Sequence, residues 1–147
     1  MSCEHKKYHF VQTTVGAIIT QQEKKFTQIL LTRRSVEPYR GLWCLPGGHI
    51  EKFESARDAI IREVNEEVGL DFDAHFFGYF DEIIPGDNIH AVVLIFDGEF
   101  RGTLSAQTRE VSEIKWFSLE EIQSLKLAFQ HNLILKKYSE RLSLKQP

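Results

Sequence analysis

The sequence predicts an α/β fold in which one mixed sheet lies between helical layers. Three observations lead to this fold class. Several segments alternate apolar with polar residues, other segments repeat apolar residues at helical spacing, and turn residues separate the two kinds of segment. With 147 residues and a hydrophobic fraction of 42%, we expect a single domain over residues 1–147 with a substantial core.

The first third of the chain is predicted to contain three strands. Val11, Thr13, Val15 and Ala17 occupy alternate positions, which is typical of a half-buried strand. In chain order we expect a strand at 8–20, a polar turn at 21–25, a strand at 26–32, a loop at 33–41 that contains Pro38 and Gly41, and a short strand around Trp43.

A helix is predicted to follow. Ser55 and Asp58 form a pair that resembles a capping box, and Gly69 is suited to the C-cap. At about 100° per residue, one apolar stripe consists of Ile60, Ile61, Val64 and Val68. One side of this helix can therefore be buried in a core.

The second half of the chain predicts three further strands and two helices. Ser118, with Glu121 three residues later, indicates the start of a short helix. The predicted order is strands at 72–84 and 90–100 joined by a turn at 85–88, a strand at 113–117, a helix from 118 to about 125, and an amphipathic helix at 128–142 that includes Phe129, Leu133 and Tyr138.

Three glutamates on the first predicted helix carry the functional signal. Glu63, Glu66 and Glu67 are spaced i, i+3 and i+4, so they lie on one side of the helix and repel each other. A solvated acidic face is the ordinary explanation for such a pattern. A bound divalent cation would offset the repulsion, and Mg²⁺ prefers oxygen ligands.

The residues around these glutamates resemble the Nudix box, G-x5-E-x7-R-E-U-x-E-E-x-G-U, in which U is aliphatic. The segment at 41–48 also resembles the G-x-W-x-L-P-G-G entry of that family. The resemblance implies an α/β/α sandwich fold. All nine constrained positions of the box match, at Gly48, Glu54, Arg62, Glu63, Val64, Glu66, Glu67, Gly69 and Leu70.

The resemblance also implies roles for these residues. Glu63, Glu66 and Glu67 would hold Mg²⁺ or Mn²⁺, together with a backbone carbonyl of Gly47 or Gly48. Glu54 and Arg62 would orient the ligating carboxylates by hydrogen bonds.

Residues outside the box complete the predicted site. In the family, a glutamate before the strand at 113–117 can act as base or ligand. Glu110 is favoured over Glu113 for this role, and the general base is left open among Glu63, Glu66 and Glu110. Arg33, Arg34 and Arg40 are candidates for phosphate contacts, because arginine suits bidentate recognition of phosphate; each is equally compatible with an ordinary surface position.

The expected function is a metal-dependent pyrophosphohydrolase that cleaves the diphosphate bridge of a nucleoside diphosphate linked to another moiety. Pro85, fifteen residues after Leu70, favours a sugar nucleotide such as ADP-ribose. The segments at 45–51 and 88–92 resemble members that hydrolyse nucleoside triphosphates, which is the alternative. A Nudix domain that senses nucleotides without catalysis is a second alternative. Phe53 stands where the family commonly has glycine.

Composition limits the partners and the compartment. The net charge of −3 does not suggest binding to a nucleic acid polymer. No apolar run follows Met1–Lys7 and no stretch approaches a membrane span, so we expect a cytoplasmic protein. Cys3 and Cys44 do not make a disulfide framework or a zinc site. Dimers are common in the family, and the resemblance therefore makes a homodimer one of the expected partners.

Overall fold

The computed structural model describes residues 10–106 and 108–145. Within these residues there are nine strands, three α-helices and one 3-10 turn at Pro85–Asp87. In chain order the elements are β1 (Gln12–Glu23), β2 (Phe26–Arg34), β3 (Trp43–Cys44), β4 (Gly47–His49), α1 (Ala56–Val68), β5 (Asp71–Phe72), β6 (His75–Ile84), β7 (Ile89–Gly98), β8 (Phe100–Arg101), β9 (Val111–Ser118), α2 (Leu119–Gln123) and α3 (His131–Leu144).

Seven of the strands form one mixed sheet, organised around β1. The first part of β1 pairs in parallel with β7 on one side and antiparallel with β4 on the other. Its last residues, Thr20–Glu23, pair antiparallel with β2, which also carries β3 and β9. β6 pairs with β7, and β5 pairs separately with β8. Because β1 changes partners along its length, the short strand β4 is placed beside the middle of the sheet.

Helices cover both faces of this sheet. On one face, α1 buries Ile60, Val64 and Val68 against residues such as Ala17 and Leu30. On the other face, α2 and α3 cover a second core that includes Ile18, Ile29, Leu31, Ile134 and Leu135. Each fully buried aliphatic side chain of this kind contributes about 1.5–3 kcal/mol. The predicted α/β/α sandwich is confirmed.

The first helix has the predicted ends. The Ser55 hydroxyl accepts a hydrogen bond from the Asp58 amide at 3.1 Å, and Gly69 adopts a left-handed φ of 73° with its amide bonded to the Asn65 carbonyl. The buried side of α1 contains a charged residue, Glu67, among the apolar ones. This carboxylate is thereby placed under the glycine-containing strand β4, which contacts α1.

The last helix differs from its predicted form. It begins at His131, three residues later than predicted, because Phe129 has a left-handed φ of 55° that a helix cannot contain. Leu133 is 59% exposed, and the buried face is formed by His131, Ile134, Leu135 and Tyr138. The Nδ1 atom of His131 accepts a hydrogen bond from the Leu45 amide at 3.0 Å and so fixes the start of the helix to the loop before β4.

Other predicted boundaries also change. Arg33 and Arg34 continue β2 instead of opening a loop, because β9 pairs alongside them. The predicted strand at 72–84 is two strands, β5 and β6, with a break between them. Residues 8 and 9 of the first predicted strand lie outside the described residues. No helix in the described part of the chain is long and apolar enough to cross a membrane.

Candidate active site

Two glycines of β4 leave room for a carboxylate beside the backbone. Gly47 and Gly48 pair with Gly16 and Val15 of β1. A Cβ atom on Gly48 would lie 2.5 Å from Oε1 of Glu63, and one on Gly47 would lie 2.1 Å from the carbonyl oxygen of Val15. The Glu63 carboxylate therefore occupies the space that any side chain at position 48 would need.

Glu63 and Glu67 form a desolvated carboxylate pair at this position. Glu67 is 8% exposed and accepts a hydrogen bond from the Gly47 amide at 3.3 Å. Burial, followed by the charge of Glu63, raises the pKa of Glu67 to about 8. Burial also raises the pKa of Glu63, although the adjacent Arg62 guanidinium opposes that shift. The fold thus concentrates negative charge that the described side chains do not fully compensate.

Arg62 connects the carboxylates around the pair. A guanidinium has five N–H donors, and each one is used here. Two bonds, of 2.7 and 2.9 Å, reach Glu54; single bonds reach Glu63 at 3.0 Å, Glu66 at 3.1 Å and the His49 carbonyl at 3.1 Å. Its hydrogen bonds to Glu54, the main cause, and to Glu63 raise the pKa of Arg62. The bidentate bond in turn lowers the pKa of Glu54. Arg62 fixes the orientation of the Glu63 carboxylate.

The structure brings two of the three predicted metal-binding glutamates together. Glu66 lies on the solvent side, with its side chain 52% exposed and bonded to Arg62. Within residues 10–106 and 108–145, no set of three or more carboxylate, histidine or cysteine side chains already encloses a cation-sized position. The donor set nevertheless fits a hard divalent cation, since the desolvated oxygens of Glu63 and Glu67 adjoin the backbone of Gly48 and lack sufficient positive charge.

The two glutamates near β9 occupy different environments. Glu110 is exposed, and its backbone carbonyl accepts a hydrogen bond from the Ser35 amide at 2.9 Å. After burial, which is the main cause, the charge of Glu110 contributes to the raised pKa of both Glu63 and Glu67. Glu113 forms an ion pair with Arg33 at 2.9 Å. The charge of Glu110 therefore affects both members of the carboxylate pair, whereas Glu113 is ion-paired with Arg33.

The three predicted phosphate-binding arginines contact different partners. Arg33 also donates to the Gly41 carbonyl at 2.9 Å, and the exposed Arg40 lies 3.4 Å from Glu37. Arg34 donates to the Pro38 carbonyl at 2.7 Å, and its guanidinium carbon lies 5.0 Å from the ring centroid of Phe129. Only Arg34 reaches the segment that precedes α3.

Two acidic residues near these features were not singled out from the sequence. The Glu51 amide donates to Glu54 at 3.1 Å, and the Glu51 carboxylate lies 3.7 Å from Arg62. Glu82 is buried on β6. A signal for Glu82 was available, because it shares the parity of Phe80 and Ile84 in an alternating strand, and a carboxylate on that face is unusual.

The chain is similar to known proteins of one family. A family model described as the NUDIX domain matches residues 11–138. The ADP-ribose pyrophosphatase of Methanocaldococcus jannaschii is 29% identical over 136 residues, which cover 92% of this chain and 77% of the relative. The Nudix hydrolase YvcI of Bacillus subtilis is 30% identical over 124 residues, covering 81% of this chain and 73% of the relative.

A solved structure shows the same fold. The NUDIX domain of Shewanella oneidensis NrtR, complexed with ADP ribose, has a TM-score of 0.83 at 24% identity, over 95% of this chain and 93% of that chain. The range matched by the family model includes the glycine pair, all of α1 and Glu110.

Proposed function

The chain belongs to the Nudix family of hydrolases, and we propose that its substrate is a nucleoside diphosphate linked to another moiety, with sugar nucleotides such as ADP-ribose favoured. The observation that carries the proposal is the Glu63–Glu67 pair, which is desolvated beside Gly48 and held by Arg62. Buried carboxylates that lack a cation are costly, so a fold that retains them is suited to binding one.

Glu63, Glu67 and the Gly48 carbonyl would hold a divalent cation, Mg²⁺ or Mn²⁺. Glu66 lies at the solvent-exposed edge of this site and would complete the ligand set. Such a cation would neutralise charge on the substrate phosphates and lower the pKa of a water molecule bound to it. Arg62 and Glu54 act as positioning residues, because their bidentate contact fixes the guanidinium that orients Glu63.

A proton acceptor is needed for the water that attacks phosphorus. We place Glu110 in this role in preference to Glu63 and Glu66. Glu110 is exposed and acts electrostatically on the pair, whereas Glu63 and Glu66 are both bonded to Arg62. Cleavage of the diphosphate bridge then releases a nucleoside monophosphate and the phosphorylated second moiety.

Two observations support the sugar-nucleotide class. The relative from Methanocaldococcus jannaschii is named an ADP-ribose pyrophosphatase. Pro85 opens an exposed 3-10 turn between β6 and β7, at the spacing from the box that favours this class. Arg34 is the most suitable of the three arginines for a phosphate contact, because it alone faces the segment before α3.

The proposal is tested with a substrate panel. Purified protein in Mg²⁺ is incubated with ADP-ribose, other nucleotide sugars, dinucleotides and nucleoside triphosphates, including oxidised ones, and the products are resolved by chromatography. Rapid release of AMP from ADP-ribose supports the proposed substrate class. Release of pyrophosphate from a triphosphate, with sugar nucleotides left intact, replaces it with the triphosphate alternative.

A further inference from the structure

A groove lies between the hairpin of β1 and β2 and the helices α2 and α3. Two adjoining cavities form it, of about 450 and about 600 Å³, and both are lined by Leu119 and Ser139. The smaller cavity lies between α2 and α3, and the larger one extends to the turn of the hairpin. Among the residues that the structure describes, those placed in the candidate active site line neither cavity. The groove is therefore a separate feature of the surface.

The larger cavity has an apolar lining with an exposed aromatic ring. Leu119 and Leu142 are half-buried and pack against the core under α2 and α3. Phe26, the first residue of β2, lines the same cavity and is 64% exposed. A single exposed phenylalanine needs no explanation, but one that borders a cavity lined by two leucines extends an apolar surface. Apolar and aromatic side chains with a polar rim are typical of the centre of a protein interface.

Charges of both signs border this groove. Lys24 and Lys25 line it from the hairpin, and Glu120 and Glu140 line it from α2 and α3. All four residues are exposed. Within residues 10–106 and 108–145, none of the ion pairs includes any of them. The hairpin therefore presents positive charge, and the helices present negative charge, that the described part of the chain does not pair.

The hairpin carries lysine at a strained position. Because Glu23 pairs with Phe26, the turn consists of Lys24 and Lys25 alone. Lys24 has a left-handed φ of 56°, and two-residue turns favour glycine where φ is positive. Glycine would relieve the strain but would remove one of the two charges at the tip. A strained residue of this kind points to a function for its side chain. Glu23 on the hairpin and Lys136 on α3 reduce the separation of charge along the groove without reversing it.

We propose that this groove binds a second copy of the chain, in a dimer whose two-fold axis lays the hairpin tip of each copy against α2 and α3 of the other. Lys24 and Lys25 of one copy then meet the glutamates of the other, and Phe26 enters the apolar lining. In a two-fold contact each surface supplies both halves, so a surface with both charges is complementary to itself. A partner of a single charge would meet like charge on the hairpin or on the helices, which disfavours it.

The dimer leaves the candidate active site open. Val15 of β1 pairs with Gly48, and Lys24 follows Val15 by nine residues. At about 3.3 Å per residue, the hairpin tip lies about 30 Å along the strand from the glycine pair. The residues of the candidate site all belong to one chain, so each copy should hydrolyse substrate independently. This inference therefore goes beyond the proposed function and does not depend on it.

Exchange of the charges tests the interface by sedimentation equilibrium of the full-length protein. We expect the wild type to be a dimer at micromolar concentrations. The variants K24E/K25E and E120K/E140K should each dimerise about a hundredfold more weakly, because like charges then face each other. An equimolar mixture of the two variants should restore the dimer, since every contact between their copies then joins a glutamate to a lysine.

K52E/K137E is the matched control, because it makes the same change of charge at two exposed lysines that line neither cavity. It should dimerise as the wild type does. F26A tests the apolar part of the contact and should weaken the dimer about tenfold or more. A wild type that is monomeric at about 100 µM overturns the inference. A dimer that K24E/K25E leaves intact, or a mixture of the two variants that stays monomeric, overturns it as well.

The proposed function and this inference fail separately, because sedimentation requires no turnover. Hydrolysis of ADP-ribose by a protein that is monomeric removes only the interface. A dimer that dissociates and recovers as the charges are exchanged, in a protein that turns over nothing, removes only the catalytic proposal.

Discussion

Replacing Gly48 by alanine should lower the rate about a hundredfold while leaving the fold intact. The added Cβ would lie 2.5 Å from Oε1, 2.6 Å from Cδ and 2.8 Å from Oε2 of Glu63. Contacts under 3.0 Å are essentially never seen, so the carboxylate must move. The obstructing atoms are the end of a flexible side chain, which can rotate away from the backbone. The substitution should therefore displace the Glu63 carboxylate and change the free energy of unfolding very little.

The magnitude follows from the distances. Ordinary contact begins at 3.4 Å, so a carboxylate now at 2.5 Å from the Cβ position has to shift by about 1 Å. A misplacement of that size costs about 10²-fold in rate. The smaller entropy of the unfolded alanine chain stabilises the fold by about 0.4–1 kcal/mol and offsets residual strain. The unfolding temperature should stay within about 4 °C of wild type.

Gly47→Ala is the matched control for this experiment. Its Cβ would lie 2.1 Å from the Val15 carbonyl oxygen and 3.0 Å from the Gly16 Cα, both of which are backbone atoms. β4 and β1 would have to separate, so we expect the unfolding temperature to fall by about 5 °C or more, for a strain of about 1–3 kcal/mol. Calorimetric melting and steady-state hydrolysis of ADP-ribose are measured for both variants. A G48A enzyme with a near wild-type kcat would refute the account of Glu63.

Three further predictions concern residues around the site. R62K keeps the charge but loses the two-pronged contact with Glu54, so kcat should fall about tenfold or more; unchanged steady-state kinetics would contradict the positioning role. F53G should raise the free energy of unfolding by about 0.5 kcal/mol in urea titrations, because Phe53 has a strained φ of 67° and its ring is 97% exposed. The kcat should not change. A lower free energy of unfolding would show that the Phe53 ring stabilises the fold. Burial, then the charge of Arg34, lowers the pKa of His131 to about 4 from 6.5, so the folded state resists protonation. Its contribution, on the order of 3 kcal/mol at most, is present above pH 6.5 and is lost as pH falls toward 4. H131Q should flatten that part of the stability profile, and an identical profile would reject the assignment.

Much of this fold follows from local signals. Ser55 and Gly69 define the ends of α1 because capping depends on neighbouring residues alone. Ser118 and Glu121 likewise form the capping box that begins α2. The backbone at Phe53 is left-handed, with a φ of 67°. This explains why the family commonly has glycine at this position, since glycine adopts that conformation without strain.

Features that depend on contacts between residues far apart in the chain could not be predicted from the sequence. Spacing places Glu63, Glu66 and Glu67 on one side of α1, but the crossing of β4 over the helix decides that Glu67 is buried and Glu66 is exposed. The start of α3 depends on the bond between His131 and Leu45, which are 86 residues apart. No local pattern specifies such a contact.

The most direct test of the central claim is the rate of ADP-ribose hydrolysis by Glu67→Gln in saturating Mg²⁺. Glutamine preserves the volume of the side chain and an oxygen that can accept from the Gly47 amide, but it removes the charge that would hold the cation. The account predicts a fall in kcat of about 10³-fold or more, comparable to the loss of a major electrostatic group, with an unfolding temperature at or above that of the metal-free wild type. A variant that hydrolyses ADP-ribose within about tenfold of a wild-type rate would contradict the claim that this carboxylate binds the catalytic metal.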